Sequence, residues 1–188
     1  MNKTATNIKV AGFGGQGVMM FGQILAYSAT KDELFGLWFP SYGPETRGGT
    51  ANCSVIVSSK QINSPIFKNS DHLVAFNGPS LEKFRKHMAD GGLILYNSSI
   101  IKDKVIECET TCLGVPINDI AQEVGNPKVA NLVMMGAYLE LTHLFSDETI
   151  NYVVKKILGE RKAHLLDVNL KAIEAGKVFV RNSGVKYA

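Results

Sequence analysis

Short β-branched or apolar runs alternate with helical patterns along the chain, and this alternation predicts an α/β fold. Two further observations sharpen the class. A glycine-rich turn, Gly12-Phe13-Gly14-Gly15-Gln16-Gly17, follows the first strand and opens a helix, as in Rossmann-like domains. The run His72-Leu73-Val74-Ala75-Phe76 is apolar throughout, which suits a strand buried on both faces of a parallel sheet. The expected architecture is a Rossmann-like three-layer α/β/α sandwich with a mostly parallel sheet and helices on both faces.

The elements follow in order. Ile8 to Ala11 is a short strand that ends at Gly12. A helix runs from about Gly17 to Lys31, with Val18, Phe21, Leu25 and Ser28 along one face. Leu37-Trp38-Phe39 is a second strand, cut by Pro40, which has no N–H for a sheet ladder. Ser41 to Gly49 is rich in turn formers. Asn52 to Ser58 alternates like a strand, and its position after this loop admits an antiparallel direction. Ile66 to Ser70 is a linker into the buried strand His72–Phe76. Asn77-Gly78-Pro79-Ser80 caps a short helix, Leu81 to about His87. Leu93 to Tyr96 is the next strand, and Val105 to Cys108 is read as another. Asn118 to Val124 is helical. Asn131 caps an almost wholly apolar helix, Leu132 to about Phe145, which must be buried. Helices over Asp147–Leu158 and about His164–Val180 complete the chain, the last pairing Asp167 with Lys171.

Composition bounds the function. The 188 residues suit one domain, and no internal boundary is visible, so residues 1–188 are read as a single unit. A net charge of +3 is too weak to imply nucleic acid. No apolar run is long enough for a membrane span, and Met1 to Lys9 lacks a signal-peptide core, which points to a soluble, cytoplasmic protein. Cys53, Cys108 and Cys112 are too few for a four-cysteine zinc or iron–sulfur site, and are read as reduced thiols. Cys53 is read as a small buried hydrophobe. The four histidines have no second ligand at metal spacing, so no metal site is expected.

The glycine turn places backbone N–H groups at a helix N-terminus, where a phosphate would be stabilised. A dinucleotide site also needs an acid after the second strand, and that strand ends Phe39-Pro40-Ser41-Tyr42. Asp32 and Glu33 come too early. The turn therefore serves close helix packing, or another phosphate, or a partner subunit. The segment Pro40 to Cys53 is the more informative one. Two prolines and three glycines shape its backbone, and Glu45 and Arg47 stand on it as ionic groups. They form an internal pair, or Arg47 meets an external carboxylate or phosphate. Both segments leave the same sheet edge, where open α/β sheets bind ligands. From Lys155 to Ala188, eight basic residues face three acids, either as a solvated helix face or as a docking face for an acidic partner or phosphates.

Together, Gly14-Gly15-Gln16-Gly17-Val18 and Pro40 to Cys53 resemble the gamma subunit of 2-oxoacid:ferredoxin oxidoreductases. The similarity continues through Val55-Ile56-Val57-Ser58, Ile62-Asn63-Ser64-Pro65 and Asn131-Leu132-Val133-Met134-Met135-Gly136-Ala137, and the overall length fits. The loop ending Arg47-Gly48-Gly49-Thr50-Ala51 looks more like the 2-oxoglutarate and branched-chain members than the pyruvate members. The resemblance implies an enzyme that oxidatively decarboxylates a 2-oxoacid to an acyl-CoA and reduces ferredoxin. It implies alpha and beta partner subunits, with delta in some members. It also implies thiamine diphosphate, magnesium and iron–sulfur clusters held by those partners, and CoA accommodated against the gamma part. This chain lacks the cluster cysteines and the Gly-Asp-Gly signature of thiamine diphosphate sites, so it is expected to bind no cofactor and to be inactive alone. Gly14, Gly15, Gln16, Gly17, Tyr42, Glu45, Arg47, Gly48 and Asn52 are the residues expected on the surface facing CoA, the substrate channel or the other subunits. Other readings from the same residues are a free-standing dinucleotide-binding protein using Gly12, Gly14 and Gly17, and a scaffold with both loops buried in an interface.

Overall fold

The computed structural model describes residues 4–43, 50–102 and 110–187. Glu45, Arg47, Gly48 and the strand expected at Val105–Cys108 lie outside the described residues.

Six strands form one sheet, ordered β2-β3-β1-β4-β5-β6. They are β1 (Ala5–Phe13), β2 (Phe35–Tyr42), β3 (Thr50–Ser58), β4 (Ser70–Ala75), β5 (Met88–Asn97) and β6 (Thr111–Val115). The pairings β1–β4, β4–β5 and β5–β6 are parallel. The strand β3 runs antiparallel to both β1 and β2. The helices are α1 (Val18–Lys31), α2 (Gly78–Phe84), α3 (Ile117–Glu123), α4 (Ala130–Thr142), α5 (Asp147–Leu158) and α6 (Leu166–Ser183). Among the described residues no helix is long and apolar enough to cross a membrane.

The α/β sandwich expected from the sequence is present, but its helical layers are unequal. Ile8, Val10, Val55, Val57, Val74 and Leu95 face a large core shared with α1, α4, α5 and α6. The opposite face holds a smaller cluster, Leu73, Ala75, Ile94 and Ile101, closed by Leu81 of α2.

The helix α4 explains its own composition. It lies between the sheet and α6, and ten of its thirteen residues are buried. A Cβ on Gly136 would stand 1.8 Å from the carbonyl oxygen of Ile173, and one on Gly176 2.0 Å from that of Val133. Each glycine thus lets the opposite helix backbone approach. The fully buried Tyr138 joins this helix to the sheet, its hydroxyl 2.8 Å from His72 Nδ1. Burial pushes the Tyr138 phenol well above its ordinary pKa.

Four sequence expectations need correction. Pro40 does not cut β2, which continues to Tyr42. Gly43 N donates to Thr50 O, so the pair 43/50 and every second pair from it are hydrogen-bonded. Pro40 stands opposite Cys53, on a non-bonded pair of an edge strand, where its missing N–H would have pointed outward. Second, the sequence reading gave no strand at Thr111–Val115, where Thr111 and Gly114 hid β6. Third, Asn131 is not a cap: α4 already begins at Ala130, and Asn131 sits in its first turn. Fourth, the helix after Asn77 is α-helical only to Phe84, then a 3₁₀ turn from Arg85 to His87.

Candidate functional site

The parallel strands β1, β4, β5 and β6 all end on one edge. The loops that leave them form a cleft of about 430 Å³, lined by Gly15, Gln16, Gly17, Asn97, Asn118, Lys128 and Asn131 among others. An open α/β sheet presents ligand sites at this edge because the crossovers diverge there and helices begin.

The first wall is the glycine turn. Gln16 folds back on it: its Oε1 accepts from Phe13 N at 2.7 Å and from Asn77 Nδ2 at 3.2 Å, and its Nε2 donates to Phe76 O at 3.3 Å. One side chain therefore ties the β1 loop to the β4 loop. Gly17 has φ +81°, and a Cβ there would stand 2.5 Å from the side chain of Asn131. The left-handed backbone and the contact with α4 both demand glycine. Gly14 and Gly15 differ, since nothing lies within 4 Å of a Cβ built on either. Among the described residues no side chain caps the N-terminus of α1. Its first-turn N–H groups and the positive end of its dipole thus remain for a ligand.

The second wall is made of asparagines. Asn97 Oδ1 accepts from Ser99 N at 3.1 Å, and its Nδ2 donates to Asn118 Oδ1 at 3.3 Å. Ser99 Oγ in turn donates to Asp119 at 2.9 Å. Lys128 brings the cation, held at the 3₁₀ turn before α4 by the Asn126 side chain, which accepts from its backbone N at 3.0 Å.

Of the sequence-predicted residues, Gly15, Gln16 and Gly17 line this cleft, with Gly14 beside them in the turn. Tyr42 and Thr50 flank the second loop on the same edge, opposite Ala51 and Phe13 respectively, so the two loops share an edge as expected. Tyr42 is 68% exposed. Asn52 is elsewhere: it pairs with Ala11 and Ser41, and its Oδ1 is 3.5 Å from Lys9 Nζ on the face opposite α1. The sequence reading did not single out Asn97, Asn118 or Lys128. A signal was present, since Asn77 and Asn97 each directly follow a buried apolar strand.

Other candidates resolve into structure. Cys53 is buried against Val18 O and Trp38, and burial pushes its thiol up to about 12. Cys53 is a free thiol. Asp32 accepts from Thr149 Oγ1 at 2.6 Å, joining α1 to α5. The basic C-terminal part is partly neutralised within the chain. Lys171 pairs with Asp167, Lys177 with Asp147, and Arg181 with Glu140 and Glu174. The hydrogen bonds from Arg181 hold the Glu140 carboxyl below its usual range. No group of three or more His, Cys, Asp or Glu among the described residues is placed to hold a metal ion.

Comparison with known proteins agrees along the whole chain. Residues 7–178 match the family model described as pyruvate ferredoxin/flavodoxin oxidoreductase. The chain is 39% identical over 176 residues to the ketoisovalerate oxidoreductase subunit VorA of Methanothermobacter thermautotrophicus, covering 94% of this chain but 36% of that one. It spans about a third of the length of such relatives. It is 33% identical to the 2-oxoglutarate synthase subunit KorC of Methanocaldococcus jannaschii, covering 93% of both. Among solved structures, the 2-oxoglutarate:ferredoxin oxidoreductase of Magnetococcus marinus, with 2-oxoglutarate, coenzyme A and succinyl-CoA bound, superposes with a TM-score of 0.89 at 25% identity. It covers all of this chain and 32% of that one. The keto/oxoacid ferredoxin oxidoreductase gamma subunit of Geobacter sulfurreducens gives 0.80 at 29% identity, covering 94% of this chain and 99% of that one. With residues 7–178 matched, the chain belongs to the pyruvate ferredoxin/flavodoxin oxidoreductase family.

Proposed function

We propose that this chain is the gamma subunit of a cytoplasmic 2-oxoacid:ferredoxin oxidoreductase, forming a single gamma-type domain over residues 1–188. The assembled enzyme oxidatively decarboxylates a 2-oxoacid such as 2-oxoglutarate, releases the acyl-CoA and reduces ferredoxin. The observation that carries the reading is the cleft on the edge where both loops emerge, which joins an open glycine turn and an uncapped helix N-terminus to one cation, Lys128. That combination suits the phosphates of CoA, which need N–H donors and positive charge. The two-way length match with a KorC subunit and with a free-standing gamma subunit supports a separate polypeptide in that role.

Among the described residues no group of three or more His, Cys, Asp or Glu is placed to hold magnesium or an iron–sulfur cluster, and thiamine diphosphate is assigned with them to the partner subunits. Those groups, which supply the decarboxylation and electron-transfer chemistry, belong to alpha and beta subunits, with delta where present. This chain binds and orients. Gln16 holds the turn rigid, Gly14 and Gly15 leave room for an anion, and Lys128 contributes charge at the far wall. Tyr42, Glu45, Arg47 and Gly48 bound the second loop and are assigned to the subunit surface of that edge. The dinucleotide alternative finds no ribose acid among the described residues at the end of β2.

The test is an anaerobic purification of the tagged chain from its native host. Larger subunits and CoA-dependent 2-oxoacid oxidation should co-elute. A chain that elutes alone and inactive defeats the subunit reading and brings an NADH titration forward. In the complex, Lys128→Ala should raise the KM for CoA about 3- to 10-fold with kcat unchanged, since one partly exposed charge contributes about 1 kcal/mol. An unchanged KM removes CoA from this cleft.

A further inference from the structure

The half of the sheet opposite α1 is built unlike the rest of the molecule. Across β1, β3 and β2, the residues Lys9, Ser54 and Phe39 form one row, and Asn7, Ile56 and Leu37 the next. No helix lies over Phe39, which is 50% exposed. Ile66, in the segment after β3, is 79% exposed. Its neighbour Phe67 turns onto the sheet, its ring centroid 5.4 Å from Lys9 Nζ.

Lys9 is the unusual member. Its ammonium donates to Ser54 Oγ at 2.6 Å and lies over the rings of Phe67 and Phe84. A second ammonium, that of Lys83, lies over the same Phe84 ring at 5.4 Å. Two cations therefore share one aromatic ring, and among the described residues no carboxylate is paired with Lys9. Burial lowers the Lys9 pKa and Lys83 lowers it further. A half-buried cation without an anion is costly in the isolated chain, and aromatic faces compensate only in part. Phe39 and Ile66 are apolar groups left facing solvent, with Leu37 half-buried beside Phe39's row, a pattern of interaction surfaces.

We infer that this open sheet face is a docking surface for another subunit of the oxidoreductase, whose docking segment sets one Asp or Glu against Lys9 and covers Phe39 and Ile66 with apolar side chains. The inference rests on the subunit reading above and adds a second contact, on the sheet face rather than the strand-end cleft. Charge selects the occupant. A second copy of this chain would bring Lys9 and Lys83 against the same surface and add to the repulsion, whereas an acid-bearing apolar segment satisfies both features. Pro40 keeps the neighbouring sheet edge from pairing with a further strand, so docking proceeds through side chains on the face.

The test uses the purified complex and a carbodiimide, which joins a lysine amine to a carboxylate in contact with loss of water. Mass spectrometry should find Lys9 linked to an Asp or Glu of another subunit. Lys9→Met should weaken assembly about tenfold or more while the isolated chain keeps its fold and Tm. A Lys9→Met chain that misfolds leaves the cross-link on the wild-type complex to decide. A complex that assembles with no Lys9 cross-link, or with one to a second copy of this chain, overturns the inference and leaves the subunit reading standing. A wild-type chain that purifies alone overturns both.

Discussion

The parallel half of the sheet, β4 and β5, is buried on both faces: Leu73, Val74, Ile94 and Leu95 are at most 1% exposed. In the antiparallel half, β2 and β3, the face toward α1 is apolar, with Val55 fully buried, while the other face carries Ser54 and Ile56, both buried on β3, and Phe39, half exposed on the edge strand β2. The physical origin lies in the connections. A parallel pair needs a crossover, and the α2 crossover between β4 and β5 covers the second face there. The antiparallel pair β2–β3 needs no crossover helix. The same sheet is thus buried on both faces at β4 and β5, whereas its edge strand β2 leaves Phe39 and Tyr42 exposed.

Three substitutions probe that contrast, from the largest effect to the smallest. On the helix-covered side, Gly176→Ala should cost about 3 kcal/mol, because the new Cβ would meet the Val133 carbonyl of α4, backbone against backbone. Thermal melting should show a loss of roughly 6–12 °C. A shift below 2 °C would mean that α4 and α6 slide apart freely, and the buried side would lose its claim to rigidity. A pH series tests the same core at Cys53. Its folded pKa is raised to about 12 from an ordinary 9.0, so the neutral thiol stabilises the fold fully below pH 9. That contribution falls as pH rises from 9 toward 12, by about 1 kcal/mol at pH 10. Urea midpoints at pH 7.5 and 10 should therefore lie closer together in Cys53→Ala than in the wild type. Equal spacing would place the thiol in contact with water. On the open face, Phe39→Ser should change the stability of the isolated chain by less than about 0.5 kcal/mol, since half of the ring is already in solvent. A loss of 2 kcal/mol would show that this face is packed in the isolated chain and would erase the contrast.

The elements that were legible in the sequence are those with strong local patterns. The run His72–Phe76 announced a strand buried on both faces, and β4 is buried at every position. Asp147 to Leu158 carried its own cap and amphipathic period, and α5 has those bounds, with Ser146 Oγ accepting from Thr149 N. The glycine turn announced a strand-to-helix corner at the ligand edge. What was hidden depended on distant partners. β6 is recognisable only beside β5, where Gly114 makes room for the Tyr96 ring. Asn131 looked like a helix cap because the first turn of α4 is occupied by a residue chosen for its contact with Gly17, 114 positions away.

The sequence by itself determined the α/β class, the glycine corner, the burial of α4 and the family, because each is written in local periodicity or contiguous motifs. Only the tertiary structure decided that Asn97, Asn118 and Lys128 converge with Gly15 on one cleft, that Asn52 leaves it for the opposite face, and that Lys9 stands among aromatic rings. These are contacts between residues tens of positions apart. They exist because strand order places β1 between β3 and β4, which the order of residues along the chain does not state.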